Sequence, residues 1–165
     1  MERYHFVTKW FFRAPIECVW AEIIDTQAWP AWWKGWKKVS LRSQERSIKV
    51  GAIADHEVKG FLPYKLRFVT QVSAVQAPRL LELTSSGDLA GRGRFELEAR
   101  DGGTYVTYDW DVGTTHPVLN LLTKLPFARL LMEINHEILM EDGYKALKLR
   151  TEGPAARVQQ PVYHW

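Results

Sequence analysis

The chain has 165 residues, a formal net charge of +3, and 46% hydrophobic against 25% charged residues. That length describes one domain able to bury about 70% of its unfolded surface, with the composition of an ordinary globular protein. So mild a positive excess does not argue for nucleic acid, which leaves dense Lys and Arg clusters, and the single cysteine, Cys18, excludes an internal disulfide and a Cys-rich metal site.

The first ten residues, MERYHFVTKW, lack the apolar core of a signal peptide. No apolar run approaches the ~20 residues needed to span a bilayer. The expectation is a cytoplasmic protein, and one cysteine is compatible with a reducing compartment. Eight tryptophans are the compositional outlier, and four of them fall between Trp29 and Trp36.

Tyr4 to Phe12 alternates and is rich in aromatic and β-branched residues, which predicts a strand. Ala14-Pro15 then opens a short helix whose Ile16, Val19, Trp20 and Ile23 form one apolar face. Asp25 and Thr26 cap a second short helix through Trp33, with Pro30 in its first turn and Gly35 beyond its end. Val39 to Ser43 is a strand, and Gln44 to Lys49 with Gly51 a turn.

Ile53 to Val58 is a third strand, followed by a turn at Gly60 to Pro63. Tyr64 to Val75 is the longest, with Tyr64, Leu66, Phe68, Thr70, Val72 and Ala74 on one face, and Ala77-Pro78 breaks it. Arg79 to Ser85 and Gly91 to Ala99 follow, the second with Phe95 and Leu97 set against Arg94, Glu96 and Glu98. Asp101-Gly102-Gly103 signals a hairpin. Thr104 to Thr114 then sends Val106, Tyr108, Trp110 and Val112 to one face and Tyr105, Thr107, Asp109 and Asp111 to the other.

Val118 to Leu125 reads as a helical turn or two. Pro126 to Arg150 reads as a helix of about seven turns, about 37 Å long, with Gly153 as its C-cap. Met132, His136, Leu139, Met140, Gly143 and Leu147 share one face of it, and Arg129 falls on the same side. Phe127, Leu130, Leu131, Ile134 and Ile138 form a second stripe in the first half. Residues 1–153 form one domain on this reading, and 154–165 a polar tail.

Short turns imply antiparallel neighbours, and strands with one apolar face need a cover. The fold class is therefore α+β. A curved antiparallel sheet of about seven strands wraps the long C-terminal helix, and two short helices after the first strand close one end.

Residues Pro15-Ile16-Glu17, Val19-Trp20, Ile23 and Asp25 carry a resemblance, as do Trp29-Pro30 and Trp32-Trp33. So do the alternating Thr104, Val106, Tyr108, Trp110 and Val112 and the helix positions Asn135-His136, Met140, Gly143 and Leu147. With this element order the chain resembles the START / birch-pollen-allergen superfamily, also called SRPBCC, and within it the polyketide cyclase/dehydrase and lipid-transport group. The resemblance spans about residues 4 to 150. It implies a helix-grip fold holding a small hydrophobic ligand between sheet and helix. Some members are aromatases, cyclases or hydrolases, so it implies a pocket and not a catalytic set.

The predicted cavity walls are Trp33, Phe68, Phe95, Tyr108, Trp110, Met132, Met140 and Gly143, with His136 as the polar anchor. The competing expectation is that Tyr108, Trp110, Phe68 and Phe95 fill the gap. His136 is either a core histidine bonded to the sheet or a group that orients a ligand carbonyl and moves protons. Asn135, about 100° away, is expected at an edge.

Alternation separates His56 from Asp55 and Glu57. If the acids face the cavity, Asp55 is a candidate base with a raised pKa; if they face water, they are a solvated strand face. Trp29, Trp32, Trp33 and Trp36 with Lys34, Lys37 and Lys38 read as a closed sheet end, a pocket mouth, or a contact for an anionic surface. Arg129 is either buried and paired or placed at an open pocket end to bind a carboxylate. The Phe127–Ile138 stripe is read as core, and if exposed as a dimer or membrane surface.

The sequence reading is thus binding or transport of a lipid, polyketide or other aromatic. A polyketide aromatase/cyclase or dehydratase using His136, Tyr108 and Asp55 is the enzyme alternative, and a ligand-free interaction module the third. Neither cofactor nor metal is expected, transient membrane contact is left open, and the assembly is a monomer or homodimer.

Overall fold

The computed structural model describes residues 3–43 and 48–153. Seven strands form one antiparallel sheet: β1 (Arg3–Phe12), β2 (Trp36–Leu41), β3 (Ile53–Val58), β4 (Leu66–Gln76), β5 (Leu80–Gly87), β6 (Leu89–Arg100) and β7 (Gly103–Thr114). Their spatial order is β1-β7-β6-β5-β4-β3-β2, so β1 and β2 are the two edges. Between β1 and β2 lie α1 (Ile16–Ile24), a 3-10 turn (Thr26–Ala28) and α2 (Trp29–Trp32). After β7 come α3 (Pro117–Leu122) and the long α4 (Ala128–Glu152).

Local chemistry accounts for these elements. The Asp101-Gly102 turn has φ of 55° and 75° at its two central residues, the backbone of a type I′ hairpin. It sets β6 and β7 in register from Leu89–Thr114 to Arg100–Gly103. Val106, Tyr108, Trp110 and Val112 are all buried, as period-two alternation requires. β4 buries Leu66, Phe68, Thr70 and Val72; a register shift between Val72 and Ala74 then ends the clean alternation.

The long helix begins at Ala128, two residues later than Pro126, and is capped by Gly153. Its C-terminal half is gripped. Leu147 is fully buried, worth roughly 1.5–3 kcal/mol in a packed site. Tyr144 Oη donates to the Phe11 carbonyl at 3.0 Å, and Arg150 forks onto Glu22 of α1 at 2.8 and 3.3 Å. Trp33, fully buried, donates Nε1–H to the Leu139 carbonyl at 2.8 Å. Its indole lies against Gly143, where an added Cβ would stand 2.5 Å from the ring.

The N-terminal half differs from expectation. The stripe of Phe127, Leu130, Leu131, Ile134 and Ile138 is exposed, from 37% at Ile134 to 68% at Phe127. α1 and α2 pack near the gripped half of α4, so nothing among the described residues covers that stripe. Arg129 is exposed too, paired with Glu133 of the next turn at 3.5 Å and set over the Tyr4 ring at 5.7 Å. Strand boundaries shift by up to three residues, β2 starting at Trp36 instead of Val39 and β4 at Leu66 instead of Tyr64. Most of the Gln44–Lys49 turn and the 154–165 tail lie outside the described residues.

Gly143→Ala should destabilise the protein by about 1–3 kcal/mol despite alanine's better helix propensity, because the methyl group meets a fully buried indole. Urea unfolding monitored by circular dichroism reads this out; an unchanged or raised midpoint would contradict the seat assigned to Trp33.

Candidate functional site

Between the concave face of the sheet and the middle of α4 lies a cavity of about 80 Å³. Ligand pockets run roughly 300–1,000 Å³, so this space is smaller than a ligand pocket as it stands. Phe68, Tyr108, Trp110, Met132, His136 and Met140 line it, as expected. The two methionines are unbranched and adaptable, so this wall is the one best able to give way.

Three expected wall residues lie elsewhere. Trp33 and Gly143 occupy each other, as described above. Phe95 is fully buried behind Tyr108, ring on ring at 4.1 Å and 8°. Asp55 points away from the cavity and is bonded twice to Arg42, at 2.9 Å each, on the solvent face. That guanidinium holds the Asp55 carboxyl below its ordinary pKa, opposite to the direction a general base there needs. Glu57 is on the same outer face with Lys65 and Arg67. Lys34, Lys37 and Lys38 are all exposed, while Trp29, Trp33 and Trp36 are buried and pack ring to ring, so this cluster closes the sheet end.

His56, the inward member of its triplet, does line the cavity. The Trp36 indole donates to its Nδ1 at 3.2 Å. An indole N–H only donates, so the imidazole proton sits on Nε2 and is given to Thr70 Oγ1 at 2.8 Å. Both ring nitrogens are therefore satisfied, and burial pushes the pKa down to about 4. His56 is a structural polar link inside the wall. Parity had placed it opposite the acids; which face was inward needed the fold.

His136 is different. Its ring stacks on Phe6 at 3.9 Å and 9°. Its Nε2 is buried with no hydrogen-bond partner, and burial lowers the pKa to about 4, so the ring is neutral at pH 7. Asn135, expected at an edge, is buried, lines the same cavity, and leaves Oδ1 unbonded against the backbone of Gly60. Unsatisfied polar atoms in a buried site are costly and few. Here two successive helix residues that line the same cavity each hold one. The Tyr108 phenol is pushed up by complete burial and stays protonated. Leu139, which the helix period set on the His136 face, lines the cavity too, and Tyr4 and Phe6 are further cavity residues that the sequence did not single out.

Among the described residues no group of three His, Cys, Asp or Glu side chains could hold a metal ion, and no helix is long and apolar enough to cross a membrane.

Residues 4–152 match the family described as polyketide cyclase / dehydrase and lipid transport, and the chain belongs to it. A search of curated proteins finds no match. Among solved structures, the Zhui aromatase/cyclase from Streptomyces sp. R1128 is similar with a TM-score of 0.73 at 15% identity, over 97% of this chain and 100% of that one. A START superfamily protein from Mycobacterium smegmatis has a TM-score of 0.66 at 18% identity, over 91% and 97% of the two chains. Ara h 8.0201 has 0.61 at 13%, over 92% and 99%. Those likenesses carry the fold, a helix-grip architecture.

Both buried histidines have folded pKa values of about 4, against 6.5 unfolded. The unfolded chain binds more protons in that window, so the stability these two histidines set should fall as pH drops from 6.5 to 4, and their share should level off below. For His56 the loss is about 3 kcal/mol. Urea midpoints measured between pH 7 and 4 test this, and His136→Phe should lose less over the same range.

Proposed function

We propose that this protein binds a small hydrophobic molecule in the cavity between the sheet and α4, with a polar group of the ligand on His136 Nε2 and Asn135 Oδ1. One observation carries the reading: two successive helix residues that line a mostly apolar void, Asn135 and His136, each hold a buried polar atom without a hydrogen bond. A neutral imidazole nitrogen and an amide oxygen suit a hydroxyl or enol-type group of an aromatic or polyketide-like molecule. Phe68, Tyr108, Trp110, Met132 and Met140 would hold its apolar body. Membership of a family described by polyketide and lipid chemistry supports that substrate range. Burying about 300 Å² of apolar ligand surface at ~25 cal/mol/Å² gives several kcal/mol, enough for micromolar affinity after ordering costs.

A second reading is proton transfer on a bound polyketide, favoured by one chemical contrast. His136 is neutral and can accept a proton, while Tyr108 beside the same cavity keeps its own. The likeness to an aromatase/cyclase fits it. Asp55, paired with Arg42 outside, has no part in it.

Titration calorimetry with naphthalene and 1-naphthol separates anchor from wall. His136→Phe should weaken 1-naphthol roughly five- to tenfold and leave naphthalene unchanged, the worth of one neutral hydrogen bond. Equal loss for both, or none for either, counts against the anchor. If His136→Ala abolishes turnover of a poly-β-ketone while affinity persists, the catalytic reading replaces pure binding.

A further inference from the structure

A second space lies beside the cavity. The outer edge of β1 and the flank of α4 enclose an open groove of about 960 Å³, some twelve times the cavity's volume. Tyr4, Phe6, His136 and Met140 are walls of both. What separates the two spaces is therefore one layer of side chains, centred on the Phe6–His136 ring stack.

The other rims of the cavity are tied. On the β2 side Trp29, Trp33 and Trp36 pack with ring centres 4.4 to 5.2 Å apart. All three of those indoles are also hydrogen-bonded, Trp29 to the Glu22 carbonyl, Trp33 to the Leu139 carbonyl and Trp36 to His56. At the α3 end Tyr64 Oη donates to Met132 Sδ at 3.3 Å and its ring meets His116 at 5.6 Å. On the β1 side phenylalanine has no polar handle, and the buried Nε2 of His136 carries no hydrogen bond. Parting that stack breaks no bond at either. β1 is an edge strand with β7 alone as neighbour, so no further strand blocks the approach.

We propose that ligands enter the sheet–helix cavity sideways, from the β1–α4 groove through the Phe6–His136 stack, and that the molecule bound is amphipathic, with its polar end left in the groove. The inference rests on the ligand-binding reading above. Volume sets the division: 80 Å³ takes at most a small part of a multi-ring molecule, so the remainder must lie where there is room. Chemistry sets the orientation. The inner walls are mostly aromatic and aliphatic and hold no Lys, Arg, Asp or Glu, whereas the groove carries Lys9, Arg129, Glu133, Glu137, Glu141 and Lys145. Glu133 and Glu141 are engaged by Arg129 and Lys145, at 3.5 and 3.6 Å. Walls of both signs suit a hydroxylated or zwitterionic end, and Glu137 lies midway along them.

N-phenyl-1-naphthylamine and 1-anilinonaphthalene-8-sulfonate share a ring system and differ by one sulfonate. Stopped-flow binding of both is measured with the wild type and with Phe6→Ala, Phe6→Leu, Glu137→Lys and Ile134→Asp, each confirmed folded by circular dichroism. Phe6→Ala should raise association and dissociation rates of both probes by about tenfold, with Phe6→Leu between it and the wild type. Glu137→Lys should tighten the sulfonate probe by about threefold at low salt and leave the neutral probe unchanged. Unchanged rates in both folded Phe6 variants would put the entrance elsewhere. An equal effect of Glu137→Lys on both probes would remove the polar end from the groove. Binding lost in Ile134→Asp would place the probes on the outer apolar stripe and overturn the route. A wild type that binds neither probe would sink the ligand-binding reading itself, and the route with it.

Discussion

The fold depends on one contact between a straight element and a curved one. Trp33 fills the space a side chain at Gly143 would need, and its indole N–H is held by the Leu139 carbonyl one turn earlier. That seat fixes how close α4 comes to the sheet. From there to Thr151 the helix is buried on its inner face and tied outward to α1 and β1. From there back to Ala128 the helix stays buried at Met140, Asn135 and Ala128, and the void next to His136 lies along this half.

The same constraint divides the polar groups of the interior into two kinds. His56 lies where sheet and tryptophans meet and has both nitrogens bonded. His136 lies between α4 and β1, stacked on Phe6, and its Nε2 has none. Burial depresses both pKa values to about 4, so the titration does not tell them apart; their partners do. A satisfied histidine specifies a packing arrangement, and an unsatisfied one beside a void specifies a binding direction.

Much of this was legible in residue order. Alternation in β7 placed Tyr108 and Trp110 inward, because a strand offers only two sides. The 3.6-residue period set Met132, His136 and Met140 on one face, and the Asp101-Gly102 pair announced its hairpin. What was not legible needed a neighbour from far along the chain. Gly143 reads as empty space on a helix wheel, but Trp33, whose bond partner Leu139 is 106 residues away, occupies it. Asp55 could be placed opposite His56 but not on the outer face, which Arg42 reveals. The stripe from Phe127 to Ile138 has the spacing of core residues, and spacing does not report whether anything lies opposite.

The tryptophan clustering has one more consequence. Trp29, Trp36 and Trp110 border the cavity, whereas Trp33 is sealed away from it. Any occupant would come to lie beside three indoles and alter their excited-state surroundings. The protein therefore carries a built-in optical gauge of whether its interior is empty or full, readable from its own ultraviolet emission without a label.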